Sequence, residues 1–84
     1  MPEKGSYVVQ IGAFGSRKNA NRLKLQVSQL GHNVSINEVE SNGKKLHAVR
    51  VNRYKSKNQA ERVGKDIKSK LGINYRVLYR PVGR

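Results

Sequence analysis

The chain contains no cysteine and only five acidic residues among its 84 residues. Without cysteine it can form neither a disulfide framework nor a thiolate metal site. It has two histidines, His32 and His47, and the only acidic residues near either of them in sequence are Glu38 and Glu40. So small a set of ligands predicts no metal site, and nothing in the sequence indicates a cofactor.

Long hydrophobic runs are also missing. No apolar stretch approaches the ~20 residues that a membrane span needs, and the N-terminus lacks the apolar region of a signal peptide. We therefore expect no membrane insertion. Residues 1–6 are predicted to be a polar lead-in or the boundary of an excised piece, residues 7–80 a single domain, and residues 81–84 a tail. A chain this short buries only about 60% of its unfolded surface, which leaves little room for a catalytic cleft beside a core.

Positive charge is in large excess. Lysine and arginine together number 18, which gives a formal net charge of +13 and a pI near 10.7. Such an excess favours polyanionic partners, and it does not define a fold. Nucleic acid, anionic lipid and a wall polymer with carboxylates or phosphates all fit this charge.

The sequence contains an internal repeat with an offset of forty residues. Shifting the chain by this offset aligns similar residues, for example Val9/Val49, Ile11/Val51, Phe14/Tyr54 and Ala20/Ala60. Two copies are too few for a solenoid, in which at least three repeats stack on one another. The repeat therefore predicts one domain built from two similar halves.

Each half carries the pattern of a strand followed by a helix. In the first half, alternation over Tyr7–Ile11 predicts a strand, and Ser16 is the expected N-cap of a helix. Apolar residues at helical spacing continue to Leu30, and Gly31 is the expected C-cap. A second strand follows over residues 32–40, and its alternation breaks after Ile36, which predicts a bulge.

The second half begins at the strongest turn signal of the chain. Asn42-Gly43 predicts a type I′ hairpin leading into a strand over residues 45–52. Ser56 and Gln59 form the pattern of a capping box, and Gly72 is the expected end of the second helix. A last strand is predicted over residues 73–80.

The predicted element order is βαββαβ, which places the chain in the α+β class. Right-handed crossovers and the central hairpin favour a four-stranded antiparallel sheet in the order 4-1-3-2, an RNP or ferredoxin-like arrangement. Each helix has one apolar stripe, so both helices are expected on the same face of the sheet. Gln10 and Arg50 would then lie side by side on the other face, on the two central strands. Phe14 and Tyr54, equivalent in the repeat, are expected in the core.

The opening of the domain carries a recognisable motif. Residues 7–14 read Tyr-Val-Val-Gln-Ile-Gly-Ala-Phe, which resembles the first strand of the SPOR family, and the resemblance extends over residues 7–80. It implies a βαββαβ fold and a peptidoglycan-binding module of bacterial division, sporulation or wall-lytic proteins. The preferred ligand would be glycan strands without stem peptides, and the location would be the periplasm, the cell wall or the extracellular space.

The third strand departs from the family pattern. Where SPOR domains often carry an arginine this chain has Ala48, and a Gly-Pro pair is replaced by Asn52-Arg53. Arg50 lies two residues further on, on the same strand face. It could supply the missing charge, since a guanidinium pairs well with the lactyl carboxylate of a muramic acid that has lost its peptide.

The resemblance implies a set of glycan-binding residues on the face without helices. They are Gln10, Ala13 and Arg50, with Val8, Leu46 and Tyr75 as neighbours on that face. Each has a simpler reading: Gln10 and Arg50 as solvated strand residues, Ala13 as a turn residue, and Tyr75 as part of the helix-covered core. We place Tyr75 on the open face and leave Tyr79 unassigned.

Two other classes of function fit the sequence less well. An RRM-like nucleic-acid-binding domain would share the topology, but it stacks bases on aromatic residues on the open face of strands 1 and 3, and none is expected on that face here. An enzyme would need a nucleophile–base arrangement, paired carboxylates or a phosphate loop, and none occurs. We therefore expect a monomeric, non-catalytic module that docks its parent protein on glycan strands. That parent could carry a wall-lytic domain such as an N-acetylmuramoyl-L-alanine amidase.

Overall fold

The computed structural model describes residues 5–80, apart from the side chain of Asn52. It contains four strands and two helices in the order β1 (Tyr7–Phe14), α1 (Arg17–Ser28), β2 (Val34–Ser41), β3 (Lys44–Tyr54), α2 (Lys57–Leu71) and β4 (Arg76–Tyr79). The βαββαβ order is as predicted. The tail over residues 81–84 and the first four residues of the predicted lead-in lie outside the described residues.

The strands form one antiparallel sheet in the order β2-β3-β1-β4. This is the predicted order 4-1-3-2 read from the other edge. The two repeat-equivalent strands, β1 and β3, are therefore adjacent and central, with β2 and β4 at the edges. Both central strands have hydrogen-bonded neighbours on both sides, so neither presents a row of unpaired backbone groups as an edge strand does.

Both helices cover the same face of the sheet, where the core lies. Helix α1 packs on β1, β2 and β3, and helix α2 packs on β1, β3 and β4. The largest completely buried side chains of this core come from both central strands and both helices, namely Val9, Val49, Val51, Val27 and Ile67. Full burial of such a side chain contributes about 1.5–3 kcal/mol. Phe14 and Tyr54 pack against this cluster, as expected from the repeat.

Helix α1 is shorter than its apolar spacing predicts. Ser16 is the N-cap, and its side chain accepts a hydrogen bond from the backbone N–H of Asn19 at 3.4 Å. The helix ends at Ser28, before Leu30, and a turn follows in which Gly31 donates to the carbonyl of Ser28 at 2.9 Å. Gly31 has a φ of 94°, so it is needed for the left-handed turn as predicted, but one turn beyond the helix end.

Helix α2 begins and ends at the predicted residues. The side chain of Ser56 accepts from Gln59 N at 3.2 Å, and Gln59 Oε1 accepts from the backbone N–H of Lys55 at 3.3 Å. At the other end Gly72 has a φ of 71° and donates to the carbonyl of Lys68 at 2.8 Å. Both ends of the helix therefore have their orphan backbone groups partly satisfied.

The hairpin between β2 and β3 confirms the Asn-Gly signal. Asn42 and Gly43 have φ values of 53° and 78°, both positive as a type I′ turn requires. The bulge predicted after Ile36 is wrong, because β2 and β3 pair without interruption from Val34↔Val51 to Ser41↔Lys44. The break in hydrophobic alternation has another cause: Val39 points to the face without helices, where it opposes Leu46.

The irregularities lie between β1 and β3 instead. Their register shifts between Tyr7 and Val9 and again between Gln10 and Gly12. A bulge lets two residues of one strand oppose one residue of its partner, and it changes which face the following side chains occupy. The second shift decides where the end of β1 points, and the candidate site depends on it.

Candidate functional site

The face of the sheet without helices, called the open face below, has Gln10 and Arg50 at its centre. The two residues oppose each other across the β1–β3 ladder. Arg50 Nε donates to Gln10 Oε1 at 3.0 Å, and both side chains are half-buried. The prediction that these two side chains lie next to each other is thus confirmed, whereas their contact with a ligand stays a prediction.

The floor of the open face is apolar. Val8 is 2% exposed and Ala48 is 0% exposed, yet neither belongs to the core under the helices. Leu46 lies beside Ala48 along β3 and is half-buried opposite Val39. Gln10 and Arg50 therefore project from a small apolar layer. Val8, predicted as a glycan contact, is too deeply buried in this layer to touch a ligand, and the accessible apolar surface comes from Leu46 and Val39.

The bulge in β1 brings Ala13 to the open face. Simple alternation from Gln10 would turn Ala13 toward the helices. Because the register shifts between Gln10 and Gly12, Ala13 instead opposes Ala48, and Phe14 turns to the core. Ala13 is exposed, so the sheet has a low, open surface at this position. A larger side chain there would fill the space next to Gln10.

The prediction that Tyr75 points to the open face is wrong. Its ring packs against the core on the helix side, and its hydroxyl donates to Glu61 Oε1 at 2.8 Å. The ring lies so close to α2 that a Cβ on Gly64 would collide with it. The hydrogen bond to Glu61, then burial, then the carboxylate charge raise the pKa of the Tyr75 hydroxyl. Alternation along residues 75–79 with Val77 in the core explains this orientation.

A cleft opens where β1 and β4 separate. Their pairing ends at Gln10↔Arg76, and beyond this pair the bulge bends β1 while residues 72–75 are not in a strand. The resulting pocket has a volume of about 250 Å³ and is lined by Gln10, Ile11, Gly12, Asn74, Tyr75 and Arg76. Tyr75 thus borders a space next to Gln10, although its ring is not on the open face.

The open face carries two arginines that were not among the predicted site residues. Arg76 opposes Gln10 on β4, and Arg80 follows on the same side of the chain, two rows further on. Burial and, secondly, the charge of Arg80 lower the pKa of the Arg50 guanidinium. The sequence did contain a signal for them. If Tyr75 and Val77 are assigned to the core, the alternation of side chains along the strand places Arg76 and Arg80 on the open face.

Metal binding has no support among residues 5–80. No group of three or more histidine or acidic side chains in that range could hold an ion. His32 Nε2 lies 3.5 Å from Asp66 Oδ2, and Lys70 Nζ lies 3.4 Å from the same oxygen. The first contact joins the α1–β2 turn to α2, and the second lies within α2. Within the same range, neither helix is long and apolar enough to cross a membrane.

Comparison with known proteins identifies the family. The crystal structure of the RlpA SPOR domain from Pseudomonas aeruginosa superimposes with a TM-score of 0.77 at 28% identity, covering 89% of this chain and 99% of that one. The solution structure of the peptidoglycan-binding domain of the B. subtilis cell wall lytic enzyme CwlC gives a TM-score of 0.74 at 26% identity, covering 96% of each chain. No curated protein sequence matches the chain. The family model for the SPOR domain matches residues 3–81, and the chain therefore belongs to the SPOR domain family.

Proposed function

We propose that this domain is a non-catalytic peptidoglycan-binding module that docks its parent protein on glycan strands, preferentially strands without stem peptides. The observation that carries the proposal is the Gln10–Arg50 pair at the centre of the open face, within the motif that marks the family. A further support is the fold shared with the CwlC domain, which is itself described as peptidoglycan-binding.

The chemistry of the open face suits a sugar chain with carboxylates. The Gln10 amide can hydrogen-bond sugar hydroxyl and N-acetyl groups. Arg50 can pair with the lactyl carboxylate that a muramic acid exposes after its peptide is removed. The half-buried Leu46 and the exposed Ala13 offer apolar surface against which a sugar ring can lie, above the buried Val8 and Ala48. A stem peptide would remove the carboxylate charge and add bulk at the same position.

Nucleic acid is the alternative partner that charge alone would favour. An RRM uses exposed aromatic rings on its two central strands to stack bases. Among the described residues, the open face of β1 and β3 presents valine, glutamine, alanine, leucine, lysine and arginine, and no aromatic ring. Tyr75 packs against the core on the helix side, and Tyr79, which is 62% exposed, opposes Tyr7 on that same side. The open face therefore supports glycan binding better than base stacking.

The role of the parent protein follows from docking. A module of this kind would hold a larger exported protein at the cell wall, in the periplasm or outside the cell, and act there as a monomer. A wall-lytic domain such as an N-acetylmuramoyl-L-alanine amidase would gain a high local concentration of substrate from such a tether. Division, sporulation and wall turnover are all processes in which this docking would be useful.

Co-sedimentation with purified sacculi tests the proposal. The domain is mixed with intact sacculi and with sacculi whose stem peptides an amidase has removed, and the bound fraction is measured against domain concentration. We expect binding to both materials and tighter binding to the treated one, because treatment exposes lactyl carboxylates. Equal binding to the two would show that only general attraction to an anionic wall is at work, and absence of binding would refute the function itself.

A further inference from the structure

A row of polar residues crosses all four strands of the sheet through Gln10. The register pairs Ser35 with Arg50, Arg50 with Gln10, and Gln10 with Arg76. Opposing residues in adjacent strands point to the same face, so all four side chains lie on the open face. Neighbouring strands are about 4.8 Å apart, which places the backbones of Arg50 and Arg76 about 10 Å from each other on either side of Gln10.

The row presents hydrogen-bond donors at its centre. Gln10 Oε1 already accepts from Arg50 Nε at 3.0 Å, which leaves the amide nitrogen of Gln10 as its free group. Both guanidiniums can only donate. Arg76 is exposed, and no hydrogen bond or ion pair joins its side chain to any other residue within 5–80. Three donor groups side by side select a ligand that is rich in acceptors, above all a carboxylate.

Charge is divided between the two sides of the sheet. Of the acidic residues within 5–80, Glu38 and Glu40 lie on the helix side of β2, and Glu61 and Asp66 belong to α2. Glu61 accepts from Tyr75, and Asp66 contacts His32 and Lys70. The open face therefore has no acidic side chain among the described residues to neutralise its arginines. A bound anion would relieve this repulsion.

We propose that Arg76 and Arg50 act as a pair on either side of Gln10 and bind the free lactyl carboxylate of muramic acid between them. The inference rests on the proposed function and adds its specificity: the domain distinguishes carboxylated glycan from a neutral glycan of the same backbone. The ligand carboxylate lies over the Gln10 amide, and the neighbouring sugar reaches toward the cleft beyond the Gln10↔Arg76 pair.

The first arm of the test varies the ligand and keeps the protein unchanged. Amidase-treated glycan is compared with the same material after chemical reduction of its lactyl carboxylates to alcohols, and with neutral chitin oligosaccharides. Loss of a charged hydrogen-bonded contact predicts about ten- to a hundredfold weaker binding to both uncharged ligands. Equal binding to reduced and unreduced glycan would overturn the carboxylate specificity while leaving peptidoglycan binding intact.

The second arm varies the protein. Arg76→Gln removes the charge, Arg76→Lys keeps the charge without the bidentate geometry, and Arg22→Gln on exposed α1 is the matched control for net charge. We expect Arg76→Gln to bind treated glycan at least about tenfold more weakly, Arg76→Lys to lie between it and the parent, and Arg22→Gln to match the parent. On carboxyl-reduced glycan the Arg76 variants should bind as the parent does.

The outcomes separate the inference from the function on which it rests. If the parent domain binds treated glycan and Arg76→Gln binds it equally well, the arginine pair is refuted and the function stands. If Arg22→Gln weakens binding as much as Arg76→Gln, the charge acts without a site, and the pair is again refuted. If the parent does not bind treated glycan, both fail together. Melting curves for each variant check folding, and Arg76→Lys still tests the pair if Arg76→Gln is unstable.

Discussion

Replacing Gln10 with glutamate should separate binding from stability. The new carboxylate would lie where Gln10 Oε1 accepts from Arg50 Nε at 3.0 Å, and opposite Arg76 on the other neighbouring strand. It would therefore pair with arginines that we assign to the ligand, and it would repel the ligand carboxylate. Losing one charged hydrogen-bonded contact costs about 1.5–3 kcal/mol, so affinity for amidase-treated sacculi should fall about ten- to a hundredfold.

Stability should move the other way or not at all. An exposed ion pair contributes about 0.2–1 kcal/mol, and 1 kcal/mol raises the melting temperature of a domain of this size by about 4–8 °C. We expect Gln10→Glu to melt at the parent's temperature or a few degrees above it, measured by circular dichroism on the same sample used for sedimentation. A variant that is both non-binding and unfolded would show that Gln10 is structural.

The matched control is Gln26→Glu, which makes the same change of charge on the exposed surface of α1. It should bind sacculi as the parent does, because Gln26 lies on the helix side. If Gln10→Glu bound sacculi with the same affinity as the parent, the open face would not be the binding site. An equal loss in both variants would attribute binding to net charge alone.

Three further predictions concern packing, pH and salt. Gly64→Ala should lower the melting temperature, because the added Cβ would collide with the Tyr75 ring and overpacking costs about 1–3 kcal/mol. In a Tyr75→Ala background the same substitution should raise the melting temperature, because alanine has a helix propensity ~1 kcal/mol better than that of glycine. The folded state raises the pKa values of the Tyr75 and Tyr54 hydroxyls, so the stability that their neutral forms contribute is complete below about pH 10 and decreases as pH rises further. Tyr75→Phe should therefore lose less stability at alkaline pH than the parent in thermal melts. An unchanged dependence of stability on pH would contradict this prediction. Between 50 and 200 mM salt, affinity for sacculi should decrease by much less than the roughly 10³–10⁵-fold loss of a protein that neutralises several phosphates. A steep decrease of affinity with salt, together with tight binding to RNA, would instead indicate that nucleic acid is the partner.

Local signals in the sequence predicted most of the secondary structure. The Asn42-Gly43 turn and the end of α2 at Gly72 depend on backbone conformations that few residues adopt, so single residues were sufficient evidence. Helical spacing located both buried stripes, although it carried α1 past its end at Ser28, since Leu30 keeps the spacing after the helix has stopped. The strand order followed from element order and the handedness of crossovers.

The positions of side chains around the site depended on interactions between strands. Gln10 and Arg50 were placed together correctly because both are on central strands and alternation was enough. Ala13 reaches the open face only through a bulge that forms when β1 pairs with β3, and no local pattern marks that bulge. The prediction for Tyr75 was wrong because alternation at the edge of the sheet allows its side chain to be assigned to either face. Its contacts with Gly64 and Glu61 on α2 place it on the helix side.

By itself, the sequence determined the order of elements, the two apolar stripes, the excess of positive charge and the motif of residues 7–14, because each is a property of neighbouring residues or of composition. Tertiary structure decided which of those charges share a surface. Arg76 became a neighbour of Gln10 only when β4 paired with β1, more than sixty residues along the chain, and the described acidic residues were left on the helix side by the same pairing. A binding site built across strands is set by register, and register is fixed by long-range contacts that local pattern does not encode.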